Sequence, residues 1–495
     1  MIHLKLLFIR PYIGSSGKLH PRYLFFLCVP LWSLLLAGAV GESHAGPTAG
    51  PLVPTPPMGW NSFNSYGVYL HEKAAFENLE AMAKKLRPVG YEYFVIDNGW
   101  FGEYTLQPGT MYAAEKHAHD VNINKYGLFQ PSKCYFPNGF KSLIDRCHEL
   151  GLKFGLHLMR GIPRKAVELN LSIKGTRFRA GDIADKDPDN HCKWCQYCYG
   201  IDMDKPGAQA FYDSLINQLA DWGVDFIKYD DIVPYPKEVE AVARAIRQCG
   251  RPIVLSLSPG GHVDPNHIGS FRTANMLRVT SDIWDTQEDI DKCFAAWRKW
   301  QGQERPGFWI DMDMISFGKL QLMSPPGKNL DPMSKGDIAL SGQGTTRWSQ
   351  LTQAQMRTFI TLRALSASPL MMGGDLPTLD DVSLKLITNS DVITCNQNGV
   401  MGRLVYESRD METWLVRRRG KANKGWIGIF NRGEADCQVA LSGEVLGLPA
   451  DRAFHCKDIW NKRVVAIGPG HHPQVEITAH DVLFLMYEQL GDVDS

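Results

Sequence analysis

Between Pro57 and about residue 395, short apolar runs alternate with longer stretches whose apolar positions recur at helical spacing. The short runs are Met58–Asn61, Tyr91–Asp97, Lys153–Met159, Asp225–Asp230, Pro252–Ser258, Met276–Asp282, Phe308–Asp313 and Pro369–Gly373. Their length and β-branched or aromatic content predict strands. Between them, Lys73–Arg87 carries Phe76, Leu79, Met82, Ala83 and Leu86 on one helical face. Phe140–Leu150, Ala208–Trp222, Lys237–Cys249, Glu288–Gln301 and Thr352–Ser366 follow the same rule. Eight such strands interleaved with helices in one domain predict a (β/α)8 TIM barrel over 46–397, rather than an open doubly wound sheet. No Gly-x-Gly-x-x-Gly follows a strand, which argues against a dinucleotide fold.

The texture changes after Asn396. Arg403–Glu407, Thr413–Arg417, Trp426–Phe430, Gln438–Leu441, Arg452–Asp458, Gln474–Ile477 and Val482–Tyr487 are short, roughly alternating and separated by Gly, Pro, Asn or Asp. That pattern predicts a C-terminal all-β sandwich over 398–495. No internal repeat or low-complexity linker intervenes, so the two parts are expected to pack directly. At the other end, Lys18 and Arg22 precede an apolar run from Tyr23 to Val40, and Ser43-His44-Ala45 follows. This is the layout of a secretory signal peptide over 1–45, with an uncleaved membrane anchor as the alternative. Pro30 and the Gly-rich end favour cleavage, giving a secreted or periplasmic protein with no membrane attachment afterwards.

Composition narrows the partners. Lys+Arg and Asp+Glu both number 53, and hydrophobic residues make up 44% of the chain. A balanced charge gives no reason to expect nucleic acid, which favours a basic surface. Of the 11 Cys, Cys28 lies in the leader. The ten that remain, in a chain read as exported, suggest disulfides whose pairing the sequence does not give. In the densest cluster, Cys192, Cys195 and Cys198, the adjacent His191 is awkwardly placed as a fourth metal ligand, so disulfides or free thiols are the expectation.

The chemistry gathers at the predicted strand ends, which is where barrels carry function. The second strand ends Asp97-Asn98, the fourth Lys228-Tyr229-Asp230-Asp231, the sixth Thr280-Ser281-Asp282 and the seventh Asp311-Met312-Asp313; the third ends with His157 and Arg160. One such Asp is readily explained as a helix N-cap. Four of eight strands ending this way is not. Paired carboxylates across a sugar ring are the minimum equipment for glycoside hydrolysis. Strand alternation puts Lys228 and Asp230 on one face and Tyr229 and Asp231 on the other. Lys228 would hold Asp230 ionised as a nucleophile, while Asp282 needs a raised pKa to act as the acid.

The ordered motifs Pro57-Met58-Gly59-Trp60-Asn61-Ser62-Phe63, Asp97-Asn98-Gly99-Trp100, Lys153-Phe154-Gly155-Leu156-His157, Asp221 to Asp230, Arg278-x-x-x-Asp282 and Asp311-Met312-Asp313-Met314 span the chain from about 54 to 488 with Ser368-Pro369-Leu370, Asn396-Gln397 and His480-Asp481-Val482. On these the chain resembles glycoside hydrolase family 27, the α-galactosidase and α-N-acetylgalactosaminidase family. The resemblance implies a retaining exo-glycosidase with no metal or other cofactor, acting on a galactoside. It implies Asp230 as nucleophile, Asp282 as acid/base, and Phe63, Asp97, Asn98, His157, Lys228, Arg278 and Asp313 as sugar contacts. Three positions depart from the usual pattern: Asn98 replaces a second Asp, His157 a Tyr and Phe63 a Trp. Lys-Phe-Gly-Leu-His-Leu-Met is closer to a subgroup similar to β-L-arabinopyranosidases, whose sugar is galactose-like without C6. The expected activity is therefore removal of terminal α-galactosyl residues, with β-L-arabinopyranosidase or another galacto-configured glycosidase as the alternative. A Schiff-base enzyme using Lys228 fits less well beside two carboxylates that raise its pKa. A catalytically inactive carbohydrate-binding homologue would tolerate loss of a carboxylate, and both are present.

Overall fold

A computed structural model describes residues 50–258, 263, 265–323 and 346–490, and the expected leader lies outside them. Eight parallel strands run β1 (Met58–Asn61), β2 (Tyr93–Ile96), β3 (Lys153–Met159), β4 (Phe226–Asp230), β5 (Val254–Leu257), β6 (Met276–Arg278), β7 (Trp309–Asp311) and β8 (Leu370–Met372). From β1 to β7 each pairs with the next, and β8 returns to β1. The ring closes between β7 and β8 beyond the acidic end of β7, where Ile315 bridges Met372 and its N–H donates to Met371 O at 2.8 Å. All eight strands are almost wholly buried because helices cover them outside and side chains fill them inside. Close strand approach explains Gly59 in β1: a Cβ there would meet Tyr93 O at 2.3 Å.

The covering helices are α1 (Glu72–Lys85), α2 (Lys141–Glu149), α3 (Ala208–Trp222), α4 (Pro236–Gln248), α5 (Ile268–Phe271), α6 (Gln287–Trp300) and α7 (Gln353–Leu365). Two further helices, α8 (Asp381–Ile387) and α9 (Ser390–Gln397), follow β8. Helix starts are set locally. Thr352 caps α7 while Gln355 reaches back to the Thr352 N–H, and Thr286 caps α6. After β5 the sequence lacks a long amphipathic pattern, and among the described residues a 3-10 turn, Pro265–His267, and the one-turn α5 stand there.

The C-terminal strands are β9 (Arg403–Glu407), β10 (Met411–Arg418), β11 (Lys421–Asn431), β12 (Cys437–Ala440), β13 (Phe454–Asp458), β14 (Val464–Ile467), β15 (Gln474–Ile477) and β16 (Val482–Gln489). They form a six-stranded antiparallel sheet, β9-β10-β11-β16-β13-β14, with β12 and β15 as a separate pair. Period-two alternation divides the large sheet's side chains. Leu415, Ile427, Ile429, Leu483 and Leu485 pack in one core with Val439 and Val475 of the small pair. Trp414, Val416, Trp426, Phe430 and Phe484 join the barrel core instead. There Trp297 of α6 stacks on Trp414 with ring centroids 3.7 Å apart, and Arg357 of α7 donates to Asp481 at 3.0 Å.

The structure corrects two expectations. β6 stops at Arg278, not Asp282; the last rung to β7 is Val279 N–H to Asp311 O, and Asp282 stands in the following loop. The ten cysteines among the described residues are free thiols, so the suggested disulfides do not form in this structure. Cys147, Cys293, Cys395 and Cys456 are buried on four different elements, where they act as small apolar side chains in the core.

Candidate active site

Every predicted site residue converges on the mouth at the carboxyl ends of the strands. Asp97, just past β2, is fully enclosed and accepts from Asn61 Nδ2 at 2.7 Å and from Lys228 Nζ at 2.8 Å. Burial works to raise its carboxyl, but Lys228 and His157 outweigh this and hold it below the usual value. Lys228 also lies 5.8 Å from the centre of the Phe63 ring, the aromatic wall from the β1 end. Asn98 follows in a tight turn that only Gly99 permits, since a Cβ at Gly99 would lie 2.2 Å from Val68 O and its φ is +95°. The Gly99 N–H donates to Asn98 Oδ1 at 2.8 Å. That contact uses the amide oxygen as acceptor and so assigns the orientation of the Asn98 amide.

Asp230 ends β4 and faces the same way as Lys228, as the alternation predicts. Its Oδ2 is 3.1 Å from His157 Nε2, and its Oδ1 accepts from Ser258 Oγ at 2.8 Å and from the Asp231 N–H at 3.0 Å. Desolvation opposes ionisation, but the His157 hydrogen bond and the charges of His157, Arg278 and Lys228 overcome it. The Asp230 carboxyl is held well below the ordinary carboxylate range. The expected stabiliser, Lys228, is therefore a secondary one; its own hydrogen bond goes to Asp97. The structure places His157 as a buried partner of Asp230, with 1% of its side chain exposed. Ser258 and Asn61 join the site though neither is among the predicted site residues, because nothing in their spacing marks a contact made across neighbouring strands.

On the opposite side, Arg278 at the end of β6 donates to Asp282 Oδ1 at 3.0 Å and to Asp313 Oδ1 at 3.3 Å. The other Asp313 oxygen accepts the Ile283 N–H at 2.8 Å and so draws the Asp282 loop over the mouth. Asp313 adopts a left-handed φ of +73°, and its N–H donates to Asp311. Asp282 keeps 37% side-chain exposure against 11% for Asp230, so it is the carboxyl on the solvent side. Desolvation and the neighbouring Asp313 and Asp230 carboxylates push the Asp282 carboxyl up against the pull of Arg278 and Lys228. A cavity of about 20 Å³, the size of one water, lies beneath the mouth between Asn61, Lys228, Ser258, Arg278 and Asp313.

The sequence and the fold are similar to known proteins. A melibiase family model covers residues 61–239, and an alpha galactosidase A model covers 193–332. The α-galactosidase of Cyamopsis tetragonoloba is 26% identical over 433 residues, with 86% of this chain and 84% of that protein aligned. The α-galactosidase of Coffea arabica is 27% identical over 413 residues, aligning 82% of this chain and 86% of that protein. A variant of the family 27 β-L-arabinopyranosidase from Geobacillus stearothermophilus, solved with arabinose, is 36% identical at a TM-score of 0.79, across 89% of this chain and 98% of that one. The chain belongs to glycoside hydrolase family 27. The protein is thus a glycoside hydrolase.

Proposed function

We propose that this glycoside hydrolase removes terminal α-galactosyl residues by double displacement, with Asp230 as nucleophile and Asp282 as acid/base. The observation that carries this is the opposite tuning of two carboxyls in one mouth. Asp230 receives three hydrogen bonds and stays ionised, ready to attack the anomeric carbon. Asp282, exposed on its outer side and with a raised pKa, protonates the departing oxygen and later takes a proton from water. Asp97, Lys228, Arg278 and Asp313 supply the charged groups for the sugar hydroxyls, Asn98 an amide N–H, and Phe63 an apolar wall. His157 orients Asp230. Unpaired buried polar groups are costly, so this set reads the stereochemistry of the ring.

One observation favours a second reading, a β-L-arabinopyranoside substrate. Asn98 puts a neutral amide where the family resemblance implies a second carboxylate gripping the sugar near C4 and C6. Charge-assisted hydrogen bonds are about twice as strong as neutral ones. A weaker grip there lets a sugar without C6 compete. The comparison of kcat/KM on nitrophenyl α-galactoside and nitrophenyl β-L-arabinopyranoside decides between the two. Asn98→Asp should raise the preference for the galactoside by about tenfold, the effect of one contact strengthened by about 1.4 kcal/mol. An unchanged ratio in a folded Asn98→Asp variant would remove Asn98 from the specificity argument.

We also propose that residues 1–45 direct export and are then removed. N-terminal sequencing of the exported protein should start at or near Gly46. Full-length protein recovered with the membranes would favour the anchor instead.

A further inference from the structure

Behind Asp230 lies a buried polar cluster that double displacement does not use. Arg160, one residue past β3, has 1% of its side chain exposed. Its backbone N–H donates to Asp230 O at 3.0 Å, extending the β3–β4 ladder by one rung. Its Nε donates to both Asp231 O at 3.0 Å and Asp231 Oδ2 at 3.1 Å. Nη1 donates to Glu238 Oε1 at 2.7 Å and Asn190 Oδ1 at 3.0 Å, and Nη2 donates to Asn190 O at 3.0 Å. The guanidinium carbon lies 3.4 Å from the centre of the Tyr235 ring, and Glu238 is held in turn by the Tyr212 hydroxyl. Every polar atom of the Arg160 side chain is thus committed to this cluster and none to the sugar site.

Asp231 sits at a φ of +60°, a conformation that costs a non-glycine residue energy unless its surroundings impose it. In that conformation Arg160 grips both the carbonyl and the carboxylate of Asp231. The Asp231 N–H donates to Asp230 Oδ1, the oxygen that also accepts the Ser258 hydroxyl, and the carbonyl of the same peptide accepts the Arg160 backbone N–H.

We propose that Arg160 is a positioning residue for the reaction: by clamping the Asp231 main chain, it fixes the direction in which the Asp230 carboxylate faces. The proposal rests on Asp230 being the nucleophile. Lysine cannot replace the arginine, because a single ammonium lacks the planar fork that serves Asp231, Glu238 and Asn190 together. Nothing in this role touches the sugar, so the clamp affects the rate of attack and not the affinity for the ring.

The test traps the glycosyl–enzyme with a fluorinated α-galactosyl fluoride and measures the trapping rate, alongside galactose affinity and Tm. In the wild type the label should fall on Asp230. In Arg160→Lys the trapping rate should fall on the order of tenfold to a hundredfold, the scale of a slight misalignment of reacting groups. Galactose affinity should stay within about twofold, below the effect of one lost hydrogen bond. If Arg160→Lys does not fold, Asp231→Gly serves alone. It keeps the N–H, the Arg160 bond to the carbonyl of residue 231 and the Arg160–Glu238 pair but removes the carboxylate half of the clamp, and a slowed trapping of smaller size is expected. A wild-type trapping rate in either folded variant, or galactose affinity lost in step with the rate, would overturn the proposal. Label on a residue other than Asp230 would overturn the nucleophile assignment and the proposal with it.

Discussion

Replacing Asp230 by alanine is expected to lower kcat by at least about a thousandfold, because covalent catalysis loses its only attacking group. Added azide should restore part of the turnover and yield a glycosyl azide, since the small anion fits the space the carboxylate leaves. Asp231→Ala should retain much more activity and should not respond to azide. The reason is directional. Asp230 shares its strand face with Lys228 and meets His157 and Ser258 in the mouth, whereas the Asp231 carboxylate turns outward to Arg160. Two inactive variants with azide rescue confined to Asp231→Ala would reverse the assignment.

The second large effect is expected at Asp282. For a substrate with a poor leaving group, Asp282→Ala should cost about 10²–10⁴ in kcat/KM, the usual contribution of a general acid. A nitrophenyl leaving group departs without protonation, so the loss there should be much smaller. The pH profile carries the sign. Activity needs Asp282 protonated, and partial desolvation with the neighbouring Asp313 and Asp230 carboxylates raises its pKa, so activity falls as pH rises through that raised value. Activity also needs Asp230 ionised, and its depressed pKa carries activity below the usual carboxylate range before the acid limb appears. In Asp282→Ala the alkaline limb should vanish. A persisting limb would point to Asp231 or Asp311, both pushed up to about 6, with desolvation as the main cause.

Much of this architecture is legible in the chain because its determinants are local. Each barrel strand is a short apolar run bounded by turn residues, and strand parity alone separates Asp230 from Asp231. Where contacts depend on register between strands, the sequence is silent. Ser258 reaches Asp230 from the next strand, and Asn61 reaches Asp97 from the preceding one. The motif around His157 does not reveal that its ring meets Asp230, a contact set by the β3–β4 register. Val279 and Ile283 are β-favouring and extend the apparent strand to Asp282, yet the ladder to β7 ends at Val279. The edge strand β14, largely open to solvent, offers little alternation to find. The closure of the ring at Ile315, past the end of β7, depends on the turn made by Asp313 at positive φ, which no apolar pattern encodes.

Double displacement through Asp230 has a stereochemical signature, the anomer of the sugar first released. A proton NMR time course of nitrophenyl α-galactoside hydrolysis, read before mutarotation, should show the α-anomer of galactose appearing first. Initial formation of the β-anomer would mean a single displacement by water, and would contradict a nucleophilic Asp230.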